Sequence, residues 1–447
     1  MAQAGPIGEG LLVAKLLGAE FRTTPYWWEE ARPELPAAPE PLPAEAEVLV
    51  VGGGYAGLSA ALTMGRLGTA ALVLDAEAIG WGASSRNGGA VSGGLKISNT
   101  NLDSLGKDRA DALMREATGS FPFLEELLAR EGIDCAYARR GRFVAAWTPK
   151  HYEAMEKRVP LLAELTGGWV RMLPAARVRE ELGSERYHGG MVVEMAGGLH
   201  PARYVRGLAQ VTLRAGAVLR GGVRVTKIAP EGDGFRVETS AGQVRARAVL
   251  SATNGYSLGG PNPWLSRRLI PVGSYIIATE DLPEATMKQL FPNGRVVGDS
   301  RRVLSYFRPA PDGRRVLWGG RASFGPTTPE VAAPVLHDMM TAVFPELKQT
   351  RITHAWTGNV AFTFDFLPHI GVHEGVHFAA GCQGSGVAMQ SWLGHQVALK
   401  ILGRANQPSA FDGLPFPTLP LYAGNPWFLP LVGEWYRLRD RLDRMAA

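Results

Sequence analysis

The apolar run Val48-Leu49-Val50-Val51 stops at Gly52, and from Tyr55 apolar and small residues continue at helical spacing. A continuous run of this kind marks a strand buried on both faces, and the change of period predicts a strand, a glycine turn and then a helix. A second apolar strand, Ala70 to Leu74, ends in Asp75. Helical patterns follow at 108–131 and 150–166, and again from Leu199 to Arg214, entered through Pro201. Alternating segments at 223–228, 234–239 and 243–251 predict strands, as do 272–279, 303–308 and 315–319. A helix near 329–343, a strand from Arg351 to Trp356 and another from Val376 to Ala380 lead to a last long helix at 386–402. The tail, 420–447, carries Trp427, Phe428, Trp435 and Tyr436 and ends as a basic amphipathic helix, read as a strap packed on the body. Residues 1–45 form a leader dense in proline, expected to lie extended on the surface with Tyr26, Trp27 and Trp28 as its anchor.

The glycines at the first turn fit G-x-G-x-x-G at Gly52, Gly54 and Gly57, with Tyr55 and Ala56 between them. One makes a tight turn, one lets backbone approach a pyrophosphate, and one lets the helix pack closely on the strand. The helix N-terminus offers N–H groups and partial positive charge to phosphates, and Asp75, followed by Ala76, can accept from ribose hydroxyls. Three more segments bear on which dinucleotide is held. The run Gly82-Ala83-Ser84-Ser85-Arg86-Asn87-Gly88-Gly89 brings small residues and one positive charge. The strand Ala248–Ser251 ends in Ala252, Thr253, Asn254 and Gly255. The turn Gly381-Cys382-Gln383-Gly384-Ser385-Gly386 opens the last helix, giving a second helix N-terminus suited to the negative charge of a reduced flavin.

Composition narrows the class. The chain has 447 residues, 46% hydrophobic and 20% charged, so it affords a large core and excludes wholesale disorder. A net charge of only +5, with dispersed basic residues, speaks against nucleic-acid binding. Cys135 and Cys382 make neither a disulfide framework nor a C-x-x-C motif, the histidines show no metal-ligand spacing, and no metal is expected. No stretch is apolar enough to span a bilayer, and Gly8 to Ala19 makes a poor signal peptide, so the expected location is cytoplasmic.

In this order, the segments over about 46–403 resemble the FAD-dependent oxidoreductases of the D-amino-acid oxidase family, most nearly the gamma-glutamylputrescine oxidase-like proteins. The matching stretches are the run at 82–89, His200-Pro201-Ala202-Arg203-Tyr204, Tyr306-Phe307-Arg308, Gly319-Gly320-Arg321, and Trp356 through Pro368. The resemblance implies an α/β protein: a Rossmann-like FAD-binding domain of the glutathione-reductase type, discontinuous in sequence (46–134, 197–257 and 350–405). An inserted antiparallel-sheet substrate domain, α+β in character, would take 135–196 and 258–349, with the leader at 1–45 and the strap at 406–447. It also implies roles. Gly52, Gly54 and Gly57 meet the pyrophosphate and Asp75 the adenosine ribose. Ser84, Ser85, Arg86 and Asn87 run beside the pyrophosphate and isoalloxazine. Val225 meets the adenine through its backbone, Ala252 and Gly255 line the cofactor, and Gly384, Ser385, Gly386, Val387 and Ala388 face the ring. The cysteine and histidine through which some relatives attach FAD are replaced here, at Trp356–Val360 and at Ser84-Ser85, so non-covalent FAD is expected.

The chemistry implied is oxidation of an amine C–N bond to an imine, with oxygen or another electron acceptor. Arg321 follows the glycine pair and could hold a substrate carboxylate bidentately. Tyr306 and Tyr275 could line the substrate wall, and His369 is the candidate base near the last cofactor segment. The substrate class stays open between a polyamine conjugate or amino acid and a D-amino-acid or glycine-type deamination, beside a non-catalytic FAD-binding protein.

Overall fold

The computed structural model describes residues 16–35, 41–95 and 102–445. Its first sheet is built on the strand Glu45–Val51, flanked in parallel by Ala71–Leu74 on one side and by the long strand Gly242–Ser251 on the other. Val218–Arg220 extends it in parallel beyond Ala71–Leu74, and Val376–Ala380 pairs in parallel with the end of Gly242–Ser251. Parallel strands need both faces covered, which is why Val48 to Val51 are all apolar and all buried. The helices Tyr55–Arg66, Lys107–Glu131 and Gly386–Ile401 cover one face through Ala60, Met64, Leu113, Leu393 and Val397. The antiparallel strands Val225–Glu231 and Gly234–Thr239 turn Val225 and Val237 onto the other.

The second sheet has nine strands. From one edge it runs Leu17–Arg22, Ile352–Phe362, Ile270–Thr279, Val316–Gly320, Tyr306–Pro309, Val296–Asp299, Arg142–Ala145, Gly190–Val193 and Val170–Leu173. Its pairings are antiparallel except at the leader edge and between Val296–Asp299 and Arg142–Ala145. Phe143, Val297, Phe307 and Trp318 share one face and pack with Leu336 and Met340 of the helix Pro329–Thr341. Side chains alternate across a strand, so Arg142, Gly298, Tyr306 and Gly319 belong to the other face.

Several expectations need correction. The strand Ile352–Phe362 belongs to the nine-stranded sheet, although 350–405 was assigned whole to the cofactor side; its eleven residues pair along Ile270–Thr279. The helical stretch 150–166 is two helices, Pro149–Glu156 and Val159–Thr166, because Pro160 lacks a donor and restarts the chain at a new N-terminus. Arg142–Ala145, Val170–Leu173, Gly190–Val193 and Val296–Asp299 are four-residue strands, too short to show a period in the sequence. The leader adds an edge strand, Leu17–Arg22, and a short helix, Trp28–Ala31. Pro36 and Pro39 lie outside the described residues. Among the described residues no helix is long and apolar enough to cross a membrane.

The aromatic anchor of the leader is deep. Trp27 has no exposed surface, Tyr26 is buried, and both pack with Ile276, Leu317 and Trp356. Trp27→Ala is expected to cost about 3–5 kcal/mol, the usual loss for a large aromatic core residue, read as a lowered urea unfolding midpoint at unchanged slope.

Candidate active site

Gly52 ends the central strand in a conformation with φ +108°, its amide donating to Leu74 O at 2.8 Å. A Cβ on Gly52 would lie 2.8 Å from Ala252 O, and one on Gly54 would lie 2.9 Å from Ser84 Oγ. A Cβ on Gly57 would collide with the Gly52 carbonyl. These three contacts press the helix Tyr55–Arg66 against the strand end and the two neighbouring loops. Among the described residues the amides of Ala56 and Gly57 have no acceptor, while Tyr55 N donates to Ser84 Oγ at 3.1 Å. Free amides at a helix N-terminus beside a side-chain-free turn suit a pyrophosphate. Asp75 accepts from Gly53 N at 2.8 Å and from Glu77 N at 3.0 Å, and each oxygen keeps a lone pair for a ribose hydroxyl. Burial raises the Asp75 pKa, and the two amide donors oppose the shift. The chain reaches Val225 close by, since Val223 N donates to Asp75 O at 2.8 Å; Ala76 is half-buried beside them.

The second glycine run is knotted to the first. Tyr55 Oη donates to Ser84 O at 2.5 Å, and Asn87 Nδ2 donates to Tyr55 Oη, Ala83 O and Ser84 O. Asn87 Oδ1 accepts from Gly89 N at 2.9 Å. Three tryptophans fasten this knot from outside: Trp27 Nε1 to Asn87 O at 2.8 Å, Trp28 Nε1 to Ser85 Oγ at 3.0 Å, and Trp356 Nε1 to Arg86 O at 2.7 Å. Ser85 is fully buried, and its hydroxyl accepts from the leader. Arg86 lies between the rings of Trp81, at 4.0 Å, and Trp28, at 4.5 Å, and its Nε donates to Trp81 O. Burial lowers its pKa. Gly82 packs on the Tyr256 ring, which blocks that side of the loop.

The remaining cofactor segments arrive at the same place. Gly255 lies against Asn359 O, and Thr253 Oγ1 bonds Ser257 Oγ at 2.7 Å. Asn254, at φ +44°, accepts from Gly381 N at 3.0 Å and so ties this turn to the last glycine turn. Asn254 was not among the expected site residues, although Asn before Gly is a signal for left-handed backbone. Gly384 has φ +81°, Ser385 stands at the N-cap position of the helix Gly386–Ile401 without a side-chain cap, and Val387 and Ala388 pack in one cluster with Tyr55. Two helix N-termini thus converge on one space.

Facing it is the nine-stranded sheet. Tyr306 lies over Gly319 and reaches the 82–89 run, where a Cβ on Gly88 would meet its ring at 3.0 Å. Its hydroxyl bonds Ser274 Oγ at 2.8 Å, and burial pushes its pKa up to about 12. Gly89 is pinned by Arg308, whose Nη1 donates to Gly89 O and Leu199 O. Arg321 is half-buried, with its guanidinium 4.9 Å from the Phe362 ring and 5.5 Å from Phe324, and with no carboxylate partner among the described residues. Burial lowers its pKa. The tail helix Leu429–Met445 closes this corner: a Cβ on Gly433 would strike Phe324, and Arg437 Nη2 donates to Ala322 O.

Two expected site residues are elsewhere. Tyr275 points to the opposite face, in the core with Ile277 and Leu336, and its hydroxyl donates to Thr327 O at 3.2 Å. Strand alternation separates it from Ser274. His369 is buried, stacks at 3.9 Å on Phe416 and bonds Asp365 at 3.1 Å, so it is a structural residue rather than a base.

The residues present fit an FAD: a pyrophosphate turn without side chains, an acid at the ribose position, and a second helix N-terminus. The family model of FAD dependent oxidoreductases, DAO, matches residues 47–399. The chain belongs to this family. This FAD-dependent oxidoreductase is 32% identical over 412 residues to the gamma-glutamylputrescine oxidoreductase of Escherichia coli strain K12, covering 89% of this chain and 93% of the relative. It is 33% identical over 430 residues to a probable oxidoreductase, OrdL, of Rhizobium meliloti strain 1021, covering 93% and 97%. Its fold resembles glycine oxidase from Geobacillus kaustophilus with a TM-score of 0.69 at 22% identity, covering 84% of this chain and 99% of that one.

Gly57→Ala in this oxidoreductase is expected to weaken FAD retention roughly tenfold or more, equivalent to about 1.4 kcal/mol, because the added methyl has backbone in its way. The ratio of flavin to protein absorbance after purification and dialysis reads the loss. Tyr306→Phe should leave that ratio unchanged.

Proposed function

We propose that the enzyme oxidises the C–N bond of a small amine that carries an anionic group, giving an imine that hydrolyses to a carbonyl compound and a smaller amine. The observation that supports this is Arg321: a desolvated guanidinium with no carboxylate partner, beside Tyr306 and across from the glycine loops. A buried charge left unpaired is costly, and a substrate carboxylate would complete it. Bound FAD supplies the hydride acceptor, held without a covalent link and reoxidised by oxygen or another acceptor. The protein's own part is binding, orientation and exclusion of water. Arg321 fixes the anionic end. Tyr306, held by Ser274, orients the amine-bearing carbon under the loop that contains Gly88. The rings of Phe324 and Phe362 keep the corner dry. The amine must be neutral for its lone pair to assist, and the free substrate loses that proton to solvent.

The Escherichia coli relative is named for γ-glutamylputrescine, and a polyamine conjugate of that type has an amine and one free α-carboxylate, both of which the site would use. Glycine-type deamination is the second reading, favoured by Arg321 if it takes an α-carboxylate. Anaerobic bleaching against polyamine conjugates, N-alkyl amino acids and D-amino acids decides between them, and a yellow protein bleached by none of them would sink both.

Arg321→Met is expected to raise the KM for the preferred anionic amine about 100-fold, the loss of some 2.7 kcal/mol of charge-assisted binding, with a smaller fall in kcat. With the Tyr306 hydroxyl pushed up to about 12, it stays protonated through the working range, so the rise of flavin reduction with pH tracks the substrate ammonium group. Tyr306→Phe should then lower the rate yet keep the midpoint of the pH profile, measured by anaerobic stopped-flow absorbance. Acid precipitation should release all the yellow colour into the supernatant.

A further inference from the structure

Arg142 stands on the same face of the nine-stranded sheet as Tyr306. Its neighbour Phe143 points into the opposite core with Val297 and Phe307, so strand alternation turns Arg142 and Gly298 to the Tyr306 side. The register agrees: Arg142 pairs with Val296, and Gly298 pairs with Tyr306, which pairs with Gly319. Two glycines in this row let two long side chains lie flat. Tyr306 covers Gly319, and Arg142 covers Gly298, where a Cβ would come within 2.7 Å of Arg142 Nη2.

The guanidinium of Arg142 is unusual among its neighbours. Arg308, on the same face, is satisfied by the carbonyls of Gly89, Leu199 and Pro309. Arg295 is paired with Glu181 and Glu194, and Arg301 with Asp299. Arg142 has no hydrogen bond and no carboxylate among the described residues, and its Nε is shut off from solvent. Burial alone lowers its pKa, with no neighbouring charge in either direction. A purely structural arginine in such a place would find carbonyls, as Arg308 does. Among the described residues nothing takes the donors of Arg142, which leaves them open to a ligand.

Resting on the C–N oxidation reading above, but not on either of its single-carboxylate substrates, we propose that Arg142 is a second anion anchor, and that the substrate is an amine bearing two carboxylates, one held by Arg321 and the other by Arg142. The strand Arg142–Ala145 and the strand Val316–Gly320, which leads into Arg321, are three spacings of ~4.8 Å apart, with Val296–Asp299 and Tyr306–Pro309 between them. The Arg142 side chain lies across Gly298, one strand nearer, so an extended chain of several carbons spans what remains and leaves its C–N bond beside the Tyr306 ring. Arg142 is a specificity residue in this scheme and takes no part in moving the hydride.

The test uses ligands that cannot react. Glutarate, adipate and butyrate are titrated into the yellow holoenzyme, and binding is read from the perturbed flavin spectrum. The wild-type protein is expected to bind the better dicarboxylate at least tenfold more tightly than butyrate. Arg142→Met should bring that ratio close to one, with Arg142→Lys between the two. Arg321→Met should weaken both ligand classes. Equal affinity for mono- and dicarboxylates in the wild-type protein would overturn the proposal, as would a ratio indifferent to Arg142→Met. If the methionine variant fails to fold, the wild-type ratio and the lysine variant still decide. Failure of the amine-oxidation reading has a different signature, the absence of anaerobic bleaching by any amine, and leaves the carboxylate titration interpretable.

Discussion

The molecule is organised around one close approach, the hydrogen of Gly57 against the carbonyl of Gly52. Nothing larger fits there. The contact lets the helix Tyr55–Arg66 start directly behind the strand end, so its free amides open onto the carboxyl edge of the parallel sheet. The strand order then does the rest. Gly242–Ser251 brings the 252–255 turn beside the first glycine turn, and Ala71–Leu74 brings Asp75. A second helix, Gly386–Ile401, is pressed onto the first by an equally tight glycine, Gly394 against Ala56 O. Two helix dipoles thereby add at one point, which favours an anionic cofactor through backbone alone.

Charge on the opposite wall follows a different rule. Several arginines stand on or around the nine-stranded sheet, and their partners sort them. Where carbonyls or carboxylates satisfy the guanidinium, as at Arg308 and Arg295, the residue ties loops together. Where rings surround it without a carboxylate or carbonyl among the described residues, as at Arg321, the cation is dried without being neutralised. Cations in aromatic surroundings keep their appetite for an anion, since the ring quadrupole offers attraction but no hydrogen bonds. The site therefore combines an apolar lining with positive charge, an arrangement suited to small acidic molecules.

Much of this was legible in the sequence because it depends on local rules. The glycine spacing at 52–57, the acid after the second strand and the small-residue run at 82–89 each have a backbone reason, and backbone constraints leave residue-level marks. Regular elements with a long period, such as the helices Lys107–Glu131 and Pro201–Arg214, were read almost to their ends. Side-chain direction was not legible. Tyr275 and Ser274 differ by one position, and alternation sends the tyrosine into the core and the serine to the site. His369 was drawn to the site by its place in the chain, yet Phe416 and Asp365, residues on either side of it in sequence, claim it. Short strands such as Gly190–Val193 carry too few residues for a period, and only their neighbours in the sheet define them.

The leader shows how far a peripheral segment can reach. Trp27 and Trp28 grip the backbone and hydroxyl of the 85–87 loop, the loop that also holds Tyr55 at the start of the first helix. The leader and the first glycine turn are therefore held through one shared set of hydrogen bonds, so the placement of the amino-terminal segment and the shape of the nucleotide turn are set together.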